Sequence, residues 1–452
     1  MRKLLFAHAL LPEGWRREVL VTLDATGRIS SVEPDATGGE YQHAIALPGL
    51  PNLHSHAFQR GMAGLTEQAG ANEDSFWTWR ELMYRFLGQL TPEDVEALAT
   101  LAYAEMLETG FTRVGEFHYL HHDAEGRPYA NPAEMAARIA GAADATGIHL
   151  TLLPSFYAHG EAGGGAPLPA QRRFLNDRDG FARLLEASRA AIAPLPGAVL
   201  GAAPHSLRAA TFAEIRDVVA MLAPGEPLHI HAAEQLREVE TCRAILGAPP
   251  IQALLDQVGL DARWCLIHAT HGTEAELAAV AQAGAVVGLC PVTEANLGDG
   301  IFPAPSYRAA GGRYGVGTDS NVLIGAAEEL RTLEYGQRLA LRTRNALAPR
   351  EASTGRALWD AALAGGTQAL AAGPAGITPG AWADLVLLDP AHPALAAREG
   401  DRWLDALVFA TRTSPIREVW VRGRRVVEDG RHPLRAAAEA RVSAVLGRIL
   451  AA

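Results

Sequence analysis

The sequence predicts an α/β protein: a (β/α)8 TIM-like barrel with a small β-sandwich domain formed by both chain termini. Three observations carry this reading. Eight short runs alternate with helical patterns from about residue 48 to residue 320, a span that matches such a barrel. Most runs are apolar throughout rather than alternating, as expected of parallel strands buried on both faces. The two ends of the chain carry short alternating strands separated by turn residues instead. The division predicted is residues 1–46 for the first part of the sandwich and 47–375 for the barrel with a helical extension. Residues 376–452 supply the second part of the sandwich and a C-terminal helix.

In chain order the barrel strands are expected at Leu47–Leu53, Thr112–Glu116, Leu150–Pro154, Val199–Ala203, Leu228–His231, Cys265–His268, Val286–Leu289 and Gly315–Thr318. Between them, Pro92–Glu108, Pro132–Ala143, Phe212–Met221 and Thr273–Gln282 place apolar residues at helical spacing. Thr91 before Pro92-Glu93-Asp94, and Thr273 before Glu274, supply N-cap and first-turn signals. The first strand is not followed by a glycine-rich phosphate turn, which argues against a doubly wound dinucleotide fold.

Composition narrows the function. A formal charge of −11 argues against a nucleic-acid or anionic-membrane partner, since both reward a basic face. No apolar run reaches bilayer length and the first residues lack a cleavage pattern, so a cytoplasmic protein is expected. Three cysteines (Cys242, Cys265, Cys290) without knuckle or paired spacing indicate no disulfide framework. Lys3 is the sole lysine, which excludes a lysine Schiff base, a P-loop and a carbamylated lysine bridging two metals in a central site.

His54-Ser55-His56 ends the first barrel strand. Residues two apart on a strand face the same side, so both imidazoles point inward at the end where barrel active sites sit. His231 and Glu234 end the fifth strand, His268 the sixth and Asp319 the eighth. Three histidines and one carboxylate suit Zn²⁺ with room for a water, although such a donor set also accepts iron or another divalent ion. His229 shares the inward face with His231 and is expected to support the site rather than ligate.

This set resembles the amidohydrolase superfamily: HxH on strand one, HxxE on strand five, His on strand six and Asp on strand eight. The resemblance implies that His54, His56, His231 and Asp319 bind one divalent ion, expected to be Zn²⁺. It also implies that Glu234, His268 and Asp319 share the proton transfers around a metal-activated hydroxide. With no central lysine, the mononuclear deaminase branch is implied.

Further stretches narrow the resemblance. HSHAFQRG from His54, the tryptophan-rich segment Phe76–Tyr84 containing Arg80, FHYLHH around Tyr119, and PHSLRA with His205 and Arg208 are similar to the formiminoglutamate deiminase family of histidine degradation. That resemblance implies a small dicarboxylate amidine as substrate, N-formimino-L-glutamate, and a homodimer. Two arginines, Arg80 and Arg208, can clamp two carboxylates by bidentate charge-assisted bonds, with Tyr119, His205 and Gln59 as neutral partners. Trp77 and Trp79 are expected as walls, and the cluster His118, His121 and His122 as structural. Two alternatives stand beside this reading. An aminopurine or adenosine-type deaminase would need base stacking instead of paired guanidinium groups. A catalytically silent barrel acting as a binding subunit would have lost ligands.

Overall fold

The computed structural model describes residues 2–69 and 75–451; Met1 and Ala452, at the ends of the two predicted terminal segments, lie outside them. Strands β1 (Arg2–Leu11), β2 (Gly14–Leu23), β3 (Ile29–Glu33) and β4 (Glu40–Pro48) open the chain. Strands β5 (Leu50–Ser55), β6 (Phe111–His118), β7 (His149–Phe156), β8 (Val199–Leu200) and β9 (Ala203–Pro204) follow, interleaved with helices. Then come β10 (Leu228–Ala232), β11 (Trp264–His268), β12 (Val286–Leu289) and β13 (Arg313–Val316). The last strands are β14 (Leu385–Leu388), β15 (Ile416–Val421) and β16 (Arg424–Val427), and the helix Arg435–Leu450 ends the chain.

The two termini build one continuous seven-stranded sheet in the order β16-β15-β14-β4-β1-β2-β3. It carries its own core, in which Phe6, Val21, Leu385 and Trp420 are buried together. The β5–β13 strands form two parallel arcs, β5-β6-β7-β8 and β10-β11-β12-β13, with β9 also paired to β7. Single parallel bridges tie the arcs at both seams, Ser55 to Asp319 and Ala202 to Leu228. Residues of β6, β7, β10, β11 and β12 are all buried, which explains the continuous apolar runs of β12 and most of β7 and β11; β6 and β10 also bury polar side chains, Arg113, Glu116, His229 and His231 among them.

Helices Pro92–Glu108 and Phe212–Met221 fall where the sequence predicts them. Thr91 with Asp94 and Thr273 with Glu276 form reciprocal capping boxes. Three strands differ from expectation for tertiary reasons. The run Leu47–Leu53 breaks at Gly49, because the chain there leaves the terminal sheet, where Pro48 pairs with Leu385, to pair Leu50 with Phe111. A Cβ on Gly49 would lie 2.3 Å from the Thr112 side chain. The run Val199–Ala203 splits into β8 and β9, since Ala202 bonds across the seam to Pro227 O and His229 N. The eighth strand begins two residues earlier than expected, at Arg313.

The barrel interior is filled by Leu53 against bare backbone. Cβ atoms on Gly115, Gly288 and Gly315 would each come within 2.6 Å of Leu53 atoms. The helix Thr354–Ala369 packs beneath, where a Cβ on Gly365 would sit 1.9 Å from the Tyr314 carbonyl oxygen. Gly365→Ala should therefore lower stability by about 1–3 kcal/mol, read as a lower denaturant midpoint. An unchanged midpoint would show that this helix does not bear on β13. Among the described residues no helix is long and apolar enough to cross a membrane.

Candidate metal centre and substrate pocket

The site gathers at one end of the barrel, where β5, β10, β11 and β13 each hand the chain to a sharp turn. Ala233 (φ 54°), His268 (φ 68°), Ala269 (φ 51°) and Asp319 (φ 43°) all occupy the left-handed region. Such residues cost about 1–3 kcal/mol each and cluster where function requires a side chain to be aimed. A buried network locks the seam beside them. Asn52 donates to Thr318 Oγ1 at 2.7 Å, and Thr318 Oγ1 donates to Asn321 Oδ1 at 2.6 Å. Asn321 Nδ2 then reaches Ser55 Oγ and the His56 carbonyl, each at 3.1 Å. First and last barrel strands are thereby fixed against each other.

Across that seam the side chains of His54, His56, His231 and Asp319 converge, all buried, with donor atoms within 4.8 Å of one another. His54 Nε2 and His56 Nε2 each lie 3.3 Å from Asp319 Oδ1, and His231 Nε2 lies 3.2 Å from His54 Nε2. Ligands at about 2.0–2.1 Å from a tetrahedral ion are about 3.3 Å apart, so these separations suit one. His56 Nδ1 donates to the Phe117 carbonyl at 2.7 Å and His231 Nδ1 to the His205 carbonyl at 3.0 Å, leaving both Nε2 lone pairs facing inward. Burial lowers the pKa values of His54, His56 and His231, and mutual repulsion adds to it for His54 and His231. Three neutral imidazoles and one carboxylate, packed this closely, fit a divalent cation.

Glu234 and His268 stand beside this cluster. His268 Nε2 lies 3.5 Å from Glu234 Oε1 and 3.9 Å from Asp319 Oδ2, while its Nδ1 lies 3.1 Å from Glu294 Oε1. Burial opposes a charge on His268, yet Glu234, Glu294 and Asp319 together push its pKa up to about 10. Burial raises Glu234 to about 7 against the pull of His268 and Arg208.

The cluster floors a pocket of about 550 Å³, counting the open solvent at its mouth. Gln59, Arg80, Tyr119, His205 and Arg208, the residues expected to contact substrate, all line it. Gln59 Nε2 donates to the Tyr119 hydroxyl at 2.8 Å, leaving Gln59 Oε1 without a partner among the described residues. Arg80 projects from the helix Phe76–Leu87, which Ser75 and Thr78 cap. Burial and the nearby Arg208 lower the Arg80 pKa. Arg208 is 9% exposed and one of its terminal nitrogens has no partner among the described residues, a buried donor at a cavity wall. Burial opposes its charge, but Glu238 and Glu234 hold it. Phe76, Trp79, Tyr84, Tyr157 and Phe174 form the walls.

Some predicted side chains stay outside. His229 faces the barrel interior one layer below His231 and bonds the Ala369 carbonyl at 2.8 Å, at the end of the helix beneath. His121 and His122 bond the carbonyls of Ser155 and Leu175, and none of the FHYLHH histidines joins a metal-capable group among the described residues. Trp77 is not a wall of the pocket: it lies between the guanidinium groups of Arg80 and Arg237, each 4.5 Å from its ring. Sequence reasoning missed Arg237, Glu238 and Glu294. Glu294 was signalled only by an acid just inside the short helix that follows Cys290-Pro291, and its role is to hold the His268 ring.

Comparisons with known proteins agree with this geometry. Residues 45–426 match the amidohydrolase family, and residues 3–44 match the N-terminal domain described as formimidoylglutamate deiminase HutF. The chain is 52% identical over 427 residues to a formimidoylglutamate deiminase of Pseudomonas aeruginosa, covering 94% of each. A crystal structure of an amidohydrolase from Brucella melitensis superposes with a TM-score of 0.96 at 52% identity over the whole of both chains. A zinc-bound adenosine deaminase structure from Xanthomonas campestris shares the fold, with a TM-score of 0.82 at 22% identity over 100% of this chain and 98% of that one.

Proposed function

The chain belongs to the amidohydrolase family, and from that premise we propose that it hydrolyses N-formimino-L-glutamate to N-formyl-L-glutamate and ammonia. The observation that carries this reading is the presence of Arg80 and Arg208 in one pocket with the His54–His56–His231–Asp319 cluster. A substrate with two carboxylates and an amidine carbon answers both features. An aminopurine has no negative group to meet two guanidinium groups.

We assign His54, His56, His231 and Asp319 to one divalent cation, Zn²⁺ on the donor set. Such a cation, when bound, supplies Lewis acidity and lowers the pKa of water toward about 7. Asp319 accepts a proton from the attacking water, and the His268 ring donates a hydrogen bond to the water oxygen. Glu234 delivers a proton to the departing nitrogen, which leaves as ammonia. Arg80 and Arg208 bind the two carboxylates, and the Tyr119–Gln59 pair and His205 orient the amidine between them. The cytoplasmic setting and the homodimer that the resemblance implies belong to the same reading.

The test is ammonia release by the purified metal-loaded protein. N-formimino-L-glutamate should be turned over with N-formyl-L-glutamate as product, and adenosine and aminopurines should not. Turnover of a purine but not of formiminoglutamate would overturn the assignment. In the same assay Arg208→Met should raise KM and lower kcat/KM by about 2–5 kcal/mol equivalent while leaving bound metal unchanged. Normal kinetics in that variant would remove Arg208 from the carboxylate clamp.

A further inference from the structure

One buried carboxyl at the site has no place in the chemistry above. Asp299 lies in the loop after the helix Pro291–Leu297, between Gly298 (φ 71°) and Gly300 (φ 122°). Both glycines are exposed while Asp299 itself is 4% exposed. Two left-handed positions that favour glycine thus turn a single acid inward from a surface loop. Its backbone N–H donates to the Glu294 carbonyl at 2.9 Å. Its Oδ1 accepts a hydrogen bond from the Gln235 side chain, next in sequence to Glu234. Its Oδ2 is buried and has no partner among the described residues. Donor atoms of Asp299, Glu234 and His268 lie within 4.8 Å of one another.

We propose that Asp299 is a positioning residue of the reaction, backing the Glu234 carboxyl and sharing one proton with it. The inference rests on the deiminase reading above. Two buried carboxylates this close cannot both stay ionised cheaply, and a shared proton removes one charge while giving Oδ2 the partner it lacks. The surroundings favour that state. Burial raises the Asp299 pKa to about 9, with Glu234, Glu294 and Asp319 adding to it and His268 opposing. Burial raises that of Glu234 as well, with His268 and Arg208 opposing and Asp319 and Glu238 adding to it. The proton balance closes without another reactant. The substrate enters as the amidinium and Asp319 takes one proton of the attacking water. The pair gives its proton through Glu234 to the NH2 of the tetrahedral adduct, the C–N bond breaks with the nitrogen leaving as ammonia, and the proton held by Asp319 returns to the pair. The second proton of that water goes to the ammonia, which departs as ammonium.

The test compares Asp299→Asn, Asp299→Glu and the wild type, each metal-loaded. Removing the neighbouring acid lets Glu234 lose its proton at lower pH, so the alkaline limb of the kcat profile should move down by about one unit in Asp299→Asn. At neutral pH kcat should fall about 10–100-fold, with KM and metal content little changed. Asp299→Glu should restore part of the rate and of the limb. The infrared difference spectrum of wild type minus Asp299→Asn at neutral pH should contain the carbonyl band of a buried protonated carboxyl. A limb that stays in place, a uniform loss at every pH, or a difference spectrum without that band would overturn the proposal. So would inhibition by excess Zn²⁺ that Asp299→Asn relieves, which would make the cluster a second cation site. Failure of the wild type to release ammonia from formiminoglutamate would sink the parent reading, and this inference with it. Turnover by the wild type with an unmoved limb would sink this inference alone.

Discussion

Asp319→Asn is expected to lose bound metal and to lower kcat/KM by about 10⁴-fold or more, because the proposed function gives one side chain both the ligand and the proton-acceptor role. Asn is the informative substitution. Asp319 sits at φ 43°, a conformation that Asn tolerates better than other residues, so the backbone should keep its shape. The bonds that close the seam, Asp319 N–H to the His54 carbonyl at 3.0 Å and His56 N–H to the Asp319 carbonyl at 2.9 Å, do not involve the carboxylate. What goes is the negative oxygen 3.3 Å from both His54 Nε2 and His56 Nε2. Neutral imidazoles alone bind a divalent cation less strongly, and the Asn amide cannot take the proton of the attacking water. Metal content by atomic emission and kcat/KM should fall together, with the thermal transition of the apoprotein close to that of chelator-treated wild type. Full metal content with full activity would remove Asp319 from the cluster and leave the proposed chemistry without its base.

The sequence made the barrel legible because parallel strands buried on both faces write themselves as unbroken apolar runs. Its interruptions were not legible. Gly49 and Gly201 read as ordinary members of strands, and only the positions of Thr112 and Pro227 make them breaks. A neighbour distant in sequence decides where a ladder ends, and no local pattern contains it. The same holds for Leu53, which reads as one more core residue. Its side chain packs with Cys265 and Ile267 in the room that Gly288 and Gly315 leave.

The candidate site was legible to the degree that its residues follow strand periodicity. His54 and His56 are two apart on β5, and His231, His268 and Asp319 stand at the ends of later strands, so one rule collects all five. Periodicity places His229 on the same face as His231 but says nothing of depth, and the Ala369 carbonyl claims it one layer down. Glu294 acts through His268 from a seven-residue helix too short to show a pattern. The inward turn of Asp299 depends on the dihedral angles of its two glycine neighbours. Arg237, exposed on the helix Leu236–Leu246, has the signature of any solvated charge, and only the Trp77 ring against it distinguishes it.

Glu234→Gln should leave the metal bound and reduce kcat by about 10²–10⁴-fold, the range for a lost proton donor. Retention of metal is expected because Glu234 is not among the four converging ligands. The amide has the shape of the acid, and the turn that presents it is fixed elsewhere, by the left-handed Ala233 and by the Glu234 N–H donating to Glu238 Oε2 at 3.1 Å. KM should therefore change little while kcat falls. Loss of metal in this variant would make Glu234 a ligand, and a rate near that of the wild type would place the proton donor elsewhere in the pocket. A second substrate separates donation from a general disturbance. For an amidine whose departing amine is a weaker base, protonation matters less to bond breaking, so the penalty of the substitution should shrink with leaving-group basicity. An equal penalty across such a series would mean that Glu234 orients the substrate and does not carry the proton.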